Sequence, residues 1–214
     1  MKRLILMGAS GSIGTQTIDV INDHRDELDL VGVSVGHNLD YLQQLLDQFD
    51  LKYVYTIDEK PELASRYPGI RFFNGDKGLT EMARLDDYDM LVNALVGFVG
   101  FKPTLEAIMN HKDVALANKE TLVAGGKIIN DAIDKYGVRL YPIDSEHVAI
   151  WQCIQGHKFS DIRRLILTGS GGAFRDLNRD QLNDVTLAQA LNHPVWNMGA
   201  KITIDSATMM NKGF

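Results

Sequence analysis

Short apolar runs alternate with amphipathic stretches along the first two-thirds of the chain. Residues 3–7, 30–35, 52–57, 89–95, 113–118 and 138–143 are brief and rich in Val, Ile, Leu and Tyr. Most lack a clean apolar–polar alternation, which is the pattern of strands covered on both faces of a parallel sheet. Between them, Leu39, Leu42, Leu45, Leu46 and Phe49 recur three and four apart, which predicts a helix with one apolar stripe. Ile13, Thr17, Val20 and Ile21 repeat this spacing after the first run, and residues 104–109 follow Pro103, a residue suited to a first helical turn. The alternation predicts a doubly wound, mostly parallel α/β domain over residues 1–144. The pattern changes after that. Residues 145–156 read as a helix stopped by Gly156, 162–170 as a further strand, and 171–174 as a glycine turn. From 178 the chain is polar and helical in short pieces, with a loop at 192–199.

Composition narrows the function classes. Hydrophobic residues make up 45% of the 214 and charged residues 23%, as in a soluble globular protein with a real core. The formal net charge is −6 and no long basic run exists, which argues against nucleic acid as a partner. The apolar run "LVNALVGFVGF" is too short and glycine-rich to span a bilayer. The start of the chain lacks the length and cleavage site of a signal peptide, and Cys153 is the single cysteine. These features predict a cytoplasmic protein without an intrachain disulfide.

The first candidate chemistry lies in "GASGSIG", residues 8–14, between a predicted strand and a predicted helix. Glycines there let the backbone turn sharply and approach a pyrophosphate, and the helix N-terminus offers free N–H groups and a positive dipole end. The spacing GxxGxxG differs from the commoner GxGxxG, so the strand–turn–helix context carries the reading: a Rossmann-like dinucleotide site. The competing reading is a tight turn with no ligand. At the end of the second strand, where NAD-binding domains place an acid for the ribose hydroxyl, the chain has Gly36-His37-Asn38. A carboxylate there would repel a 2′-phosphate, so its absence favours NADP. His37 reads equally as an exposed loop residue.

Asn118, Lys119 and Glu120 follow a late strand, at the sheet edge where ligands of open α/β sheets bind. Lys119 is placed either to hold substrate oxygens or as an ordinary first-turn residue beside an Asn118 cap. "PIDSEH", residues 142–147, brings Asp144 and Glu146 two positions apart. They read as acids favoured at a helix N-terminus, as an acid–base pair, or as ligands of a hard divalent cation. In extended backbone they would face one way and repel unless a cation lay between them.

Six motifs occur in order: "GASGSIG", "LANKETLV", "PIDSEH", "TGSGGAF", "HPVWNMG" and "KITIDSATMMNKG". Together they resemble 1-deoxy-D-xylulose 5-phosphate reductoisomerase of the non-mevalonate isoprenoid pathway, over essentially the whole chain. The resemblance implies an NADPH- and Mg2+- or Mn2+-dependent oxidoreductase and isomerase that converts 1-deoxy-D-xylulose 5-phosphate to 2-C-methyl-D-erythritol 4-phosphate. It implies NADPH contacts from Ser10, Gly11, Ser12, Ile13, Gly36, His37, Asn38, Asn118, Glu120 and Gly199. His37 stands where the family often has Lys or Arg, which implies a weaker or pH-dependent grip on the 2′-phosphate. Asp144 and Glu146 match the metal ligands. Lys119, Ser145, Glu146 and His193 match residues around the reacting part of the substrate, with Lys119, Glu146 and His193 expected to be catalytic. Ser170, Ser206, Asn211 and Lys212 match those that hold the substrate phosphate, and Trp196 matches the aromatic residue of a mobile flap. The metal reading thereby gains over the cap reading.

The resemblance further implies that residues 145–214 are an incomplete catalytic domain. In the family a glutamate that completes the metal site lies two residues past the "NKG" motif, whereas Phe214 is the last residue here. A C-terminal helical domain and a homodimer belong to the full-length family. The expectation is a truncated chain that binds NADPH, holds metal poorly and turns over slowly or not at all. Two rivals stand beside it: another NADP-dependent dehydrogenase of the homoserine or semialdehyde type, and a non-catalytic nucleotide-binding module.

Overall fold

A computed structural model describes all residues, 1–214. The chain divides into two compact units, Met1–Asp144 and Ser145–Phe214. The first unit runs β1 (Lys2–Met7), α1 (Ser12–Asp23), β2 (Leu28–Ser34), α2 (Leu39–Gln48), β3 (Tyr53–Tyr55), α3 (Pro61–Arg66), β4 (Arg71–Phe73), α4 (Gly75–Ala83), β5 (Met90–Asn93), α5 (Phe101–Met109), β6 (Asp113–Leu116), α6 (Glu120–Tyr136) and β7 (Leu140–Pro142). The seven strands form one sheet in the order β4-β3-β2-β1-β5-β6-β7, and every pair is parallel. Strand order reverses between β2-β1 and β1-β5, which makes the carboxyl edge beside β1 the topological switch point.

Alternation within β1 shows how the sheet is doubly covered. Leu4 and Leu6 join a core with Ile18, Ile21, Leu42 and Leu45 of α1 and α2. Ile5 and Met7 point the other way, into a core with Leu79, Met82, Ile108 and Ile129 of α4, α5 and α6. Successive side chains of a strand face opposite sides, so a continuous apolar run is what a sheet with helices on both faces requires. Each fully buried Leu or Ile contributes about 1.5–3 kcal/mol over an exposed one.

The second unit contains α7 (Ser145–Cys153), α8 (Leu187–Ala190), α9 (Ala200–Ala207) and α10 (Met210–Gly213), with short 3-10 turns at Phe159–Asp161 and Asp180–Asp184. Two expectations need correction here. The strand predicted over 162–170 does not form: that segment pairs with no strand, and Leu165, Ile166 and Leu167 are 64%, 65% and 53% exposed. A strand exists only against a partner ladder, and this unit has no other strand. In the first unit, β4 was not predicted; three residues between Pro68-Gly69 and Asn74-Gly75 are too short to show a period.

Candidate functional site

The glycine turn leaves β1 at the switch point. Gly8 has φ +86°, and a Cβ there would lie 2.6 Å from the Ala94 carbonyl oxygen after β5. At Gly14 a Cβ would run into the Gly8 and Ala9 carbonyls. The first glycine makes the turn and the last lets α1 pack on the strand, as the dinucleotide fingerprint requires. The turn is tied to β2: Gly8 N–H donates to Ser34 Oγ at 2.8 Å and Ala9 N–H to the Ser34 carbonyl at 2.9 Å. No side chain caps α1 at Gly11, and Gly11, Ser12 and Ile13 are exposed, with Ser10 half-buried. The helix thus presents its N-terminal amides to the edge without an internal acceptor, which suits an anion.

At the end of β2, Gly36 is half-buried and His37 exposed. Asn38 caps α2: its Oδ1 accepts from Tyr41 N–H at 3.0 Å. Across the switch point, Asn118 is buried and its amide group is spent on the neighbouring loop, donating to the Leu95 and Gly97 carbonyls, both at 2.8 Å. Thr121 Oγ1 donates to its Oδ1. Glu120 follows, half-buried, with one carboxylate oxygen 3.5 Å from Asn118 Nδ2. Lys119 is buried and its ammonium lies 3.0 Å from Asp144 Oδ2, with side chains 10% and 15% exposed.

The second unit gathers the remaining candidates in pairs. Ser145 is exposed and opens α7, and Glu146 lies in its first turn, where an acid favours the helix dipole. Glu146 also pairs with Lys212, both largely buried. His193 accepts on Nδ1 from Val195 N–H at 3.1 Å and Trp196 N–H at 2.9 Å. In the neutral ring this assigns the proton to Nε2, which lies 2.9 Å from Ser170 Oγ. Gly172 packs on the Ser206 carbonyl, and Gly169 lies against the Lys212 stem. Ser206 is buried, and the buried Asn211 Oδ1 has no hydrogen-bond partner. Trp196 is 60% exposed in its loop. Gly199 sits apart from these pairs, as the N-cap of α9.

A family model described as 1-deoxy-D-xylulose 5-phosphate reductoisomerase matches residues 4–126. A second, described as the C-terminal domain of the same enzyme, matches 140–214. The 1-deoxy-D-xylulose 5-phosphate reductoisomerase of Halalkalibacterium halodurans is 51% identical over 100% of this chain and 56% of its own length. The chain belongs to the 1-deoxy-D-xylulose 5-phosphate reductoisomerase family. The Bacillus subtilis reductoisomerase is 49% identical, again over 100% of this chain and 57% of its own. Among solved structures, DOX-P reductoisomerase in complex with NADPH, fosmidomycin and magnesium superposes with TM-score 0.91 at 37% identity, covering 100% of this chain and 56% of that one. The Zymomonas mobilis reductoisomerase in complex with NADPH gives TM-score 0.87 at 36% identity, covering 99% and 55%. The chain therefore spans a little over half the length of the reductoisomerases it matches.

The residues present fit the groups those structures carry. The uncapped α1 N-terminus beside Gly8 fits a pyrophosphate. Asp144 and Glu146 offer hard oxygen donors of the kind Mg2+ and Mn2+ prefer, and each lies against a lysine ammonium, so both stand where positive charge is favoured. No group of three or more His, Cys, Asp or Glu side chains comes together, and no helix is long and apolar enough to cross a membrane. Sequence pattern reads Asn93 only as part of the strand at 89–95, and the loop it holds only as an apolar run too short for a bilayer. A polar side chain at the end of an apolar strand, followed by two glycines, was the available signal.

Proposed function

We propose that this chain carries the NADPH site and much of the substrate site of a reductoisomerase acting on 1-deoxy-D-xylulose 5-phosphate. The α1 amides with Ser10 and Ser12 hold the pyrophosphate, and Gly36, His37 and Asn38 hold the 2′-phosphoribose end. Asn118 fixes the backbone around that edge, and Glu120 and Gly199 complete the cofactor contacts. Lys119 and Ser145 orient the substrate's hydroxyketone oxygens, and the His193 Nε2–H donates to a substrate oxygen in place of Ser170 Oγ. Ser170, Ser206, Asn211 and Lys212 hold the substrate phosphate, combining neutral donors with one cation. The Trp196 loop excludes water from the reacting atoms. When bound, NADPH supplies the hydride, and a divalent ion on Asp144 and Glu146 supplies positive charge for adjacent substrate oxygens.

The observation that carries this reading is the bare, exposed α1 N-terminus at the switch point, in a chain that matches reductoisomerases from its first residue to its last. Nicotinamide fluorescence titration should give saturable NADPH binding, with NADH at least about tenfold weaker. Mn2+ and a phosphonohydroxamate inhibitor should each give a heat of binding by calorimetry. NADPH oxidation with a panel of aldehyde and ketone substrates separates this reading from a dehydrogenase of another type. A chain that binds neither nucleotide overturns it.

A further inference from the structure

The loop at residues 192–199 carries its large side chains with little packing around them. Val195 and Trp196 are 57% and 60% exposed, and no helix or strand runs through the loop. An indole left so open takes its direction from the backbone that bears it. The sequence just before it supplies a fixed point. Pro194 holds φ at about −65° and has no N–H to give, and it keeps His193 out of helical backbone. The first amides able to turn back on His193 are therefore those of Val195 and Trp196. Both do so, donating to His193 Nδ1 at 3.1 and 2.9 Å.

The ring is itself anchored on its other side. One Nδ1 lone pair serving two N–H donors leaves the proton of the neutral ring on Nε2, which lies 2.9 Å from Ser170 Oγ. The Ser170 carbonyl accepts from Arg175 Nη1 at 3.3 Å, and Gly171 lies against the Arg175 side chain. The imidazole thus bridges the 170–175 turn to the loop. At the far end, the buried Thr203 donates to the Gly199 carbonyl at 2.9 Å. Asn and Asp close turns on amides two and three residues ahead in the same way. A histidine does it with a ring that keeps a second polar atom for another task. These bonds are too few and too open to decide the fold: His193 is half-buried and belongs to neither apolar core. What they decide is where Trp196 stands.

We propose that His193 is the positioning residue for Trp196: its Nδ1 closes the 193–196 turn and so sets the direction of the indole, a role separate from that of the Nε2–H that faces substrate. The proposal rests on the reading of this loop as the substrate's cover and adds what holds that cover in shape.

The two ring nitrogens can be tested apart, because Asn carries an acceptor oxygen where Nδ1 stands and Gln reaches the place of Nε2. The variants H193N, H193Q and H193A are made in a Trp151→Phe background, which leaves Trp196 as the single tryptophan. Amide exchange of Val195 and Trp196 is read by NMR, and motion of the indole by fluorescence anisotropy decay. H193Q and H193A should speed both amides about fivefold, the worth of one hydrogen bond, and widen the indole's motion. H193N should keep both amides within about twofold of the protein that retains His193. Circular dichroism melts check that the fold is kept. H193N as mobile as H193A, or H193Q as ordered as the protein that retains His193, overturns the proposal. A phosphonohydroxamate inhibitor separates this result from the reading it rests on: Trp196 emission should shift to the blue as the inhibitor binds. Emission that stays unchanged sinks the covering role of the loop, while the exchange pattern still decides whether His193 sets the turn.

Discussion

Arg3 and Asp89 join β1 to the residue that precedes β5. Asp89 accepts from Arg3 Nε at 3.2 Å, Nη2 at 2.9 Å and the backbone N–H at 2.7 Å. The side-chain bonds to Arg3 come first among the causes that pull the Asp89 carboxyl down to about 2. Its folded value is thus below the ordinary unfolded value of about 3.9. The stability it contributes is present above pH ~4 and is lost as pH falls through about 2. Equilibrium urea unfolding between pH 5 and 2 should therefore show a steeper loss in the unsubstituted protein than in Arg3→Met. Parallel curves would show that the pair is too exposed to matter. Tyr53 titrates at the opposite end: burial, then its 2.6 Å bond to Asp87, pushes it up to about 12.

At the scale of elements, the β5 end is held by two buried amides, Asn93 and Asn118. Replacing Asn93 with Ala leaves the Leu95 N–H and the Gly100 carbonyl without their partner in a buried place. A loss of about 2–4 kcal/mol in denaturant unfolding is expected; a loss under about 1 kcal/mol would mean water replaces the amide. Six of the seven strands were legible because both faces of the sheet are covered and each strand is a plain apolar run. The glycine turn was legible because backbone conformation leaves a residue-type signature. Asn93 was not, since a buried polar network depends on which elements meet. The 162–170 segment misled for the same reason: it has a strand's composition but no partner strand within its unit. Leu165 and Leu167 point to one side of any extended segment, and both are more than half exposed. The double variant L165K/L167K should reduce concentration-dependent association in sedimentation velocity, because charge on an open strand blocks pairing. Association equal to that of the unsubstituted protein would place the contact elsewhere.

The two units of the molecule differ in what holds them together. Both apolar cores lie in the first unit, one on each face of its sheet, and no apolar side chain beyond Ala132 is fully buried. The fully buried side chains of the second unit are polar, Thr203 and Ser206. Hydrophobic burial is the main term opposing chain entropy, so the two units should open with very different free energies. Native-state hydrogen exchange reads this directly. Amides of β1, β2, β5 and β6 should exchange slowest, near the global unfolding limit. Those of residues 157–199 should exchange early and through local openings. NADPH should then slow residues 8–14 selectively, because ligand binding stabilises what it touches. Protection of 162–170 matching that of β5 would contradict this picture, since it would require a strand partner that the second unit does not supply.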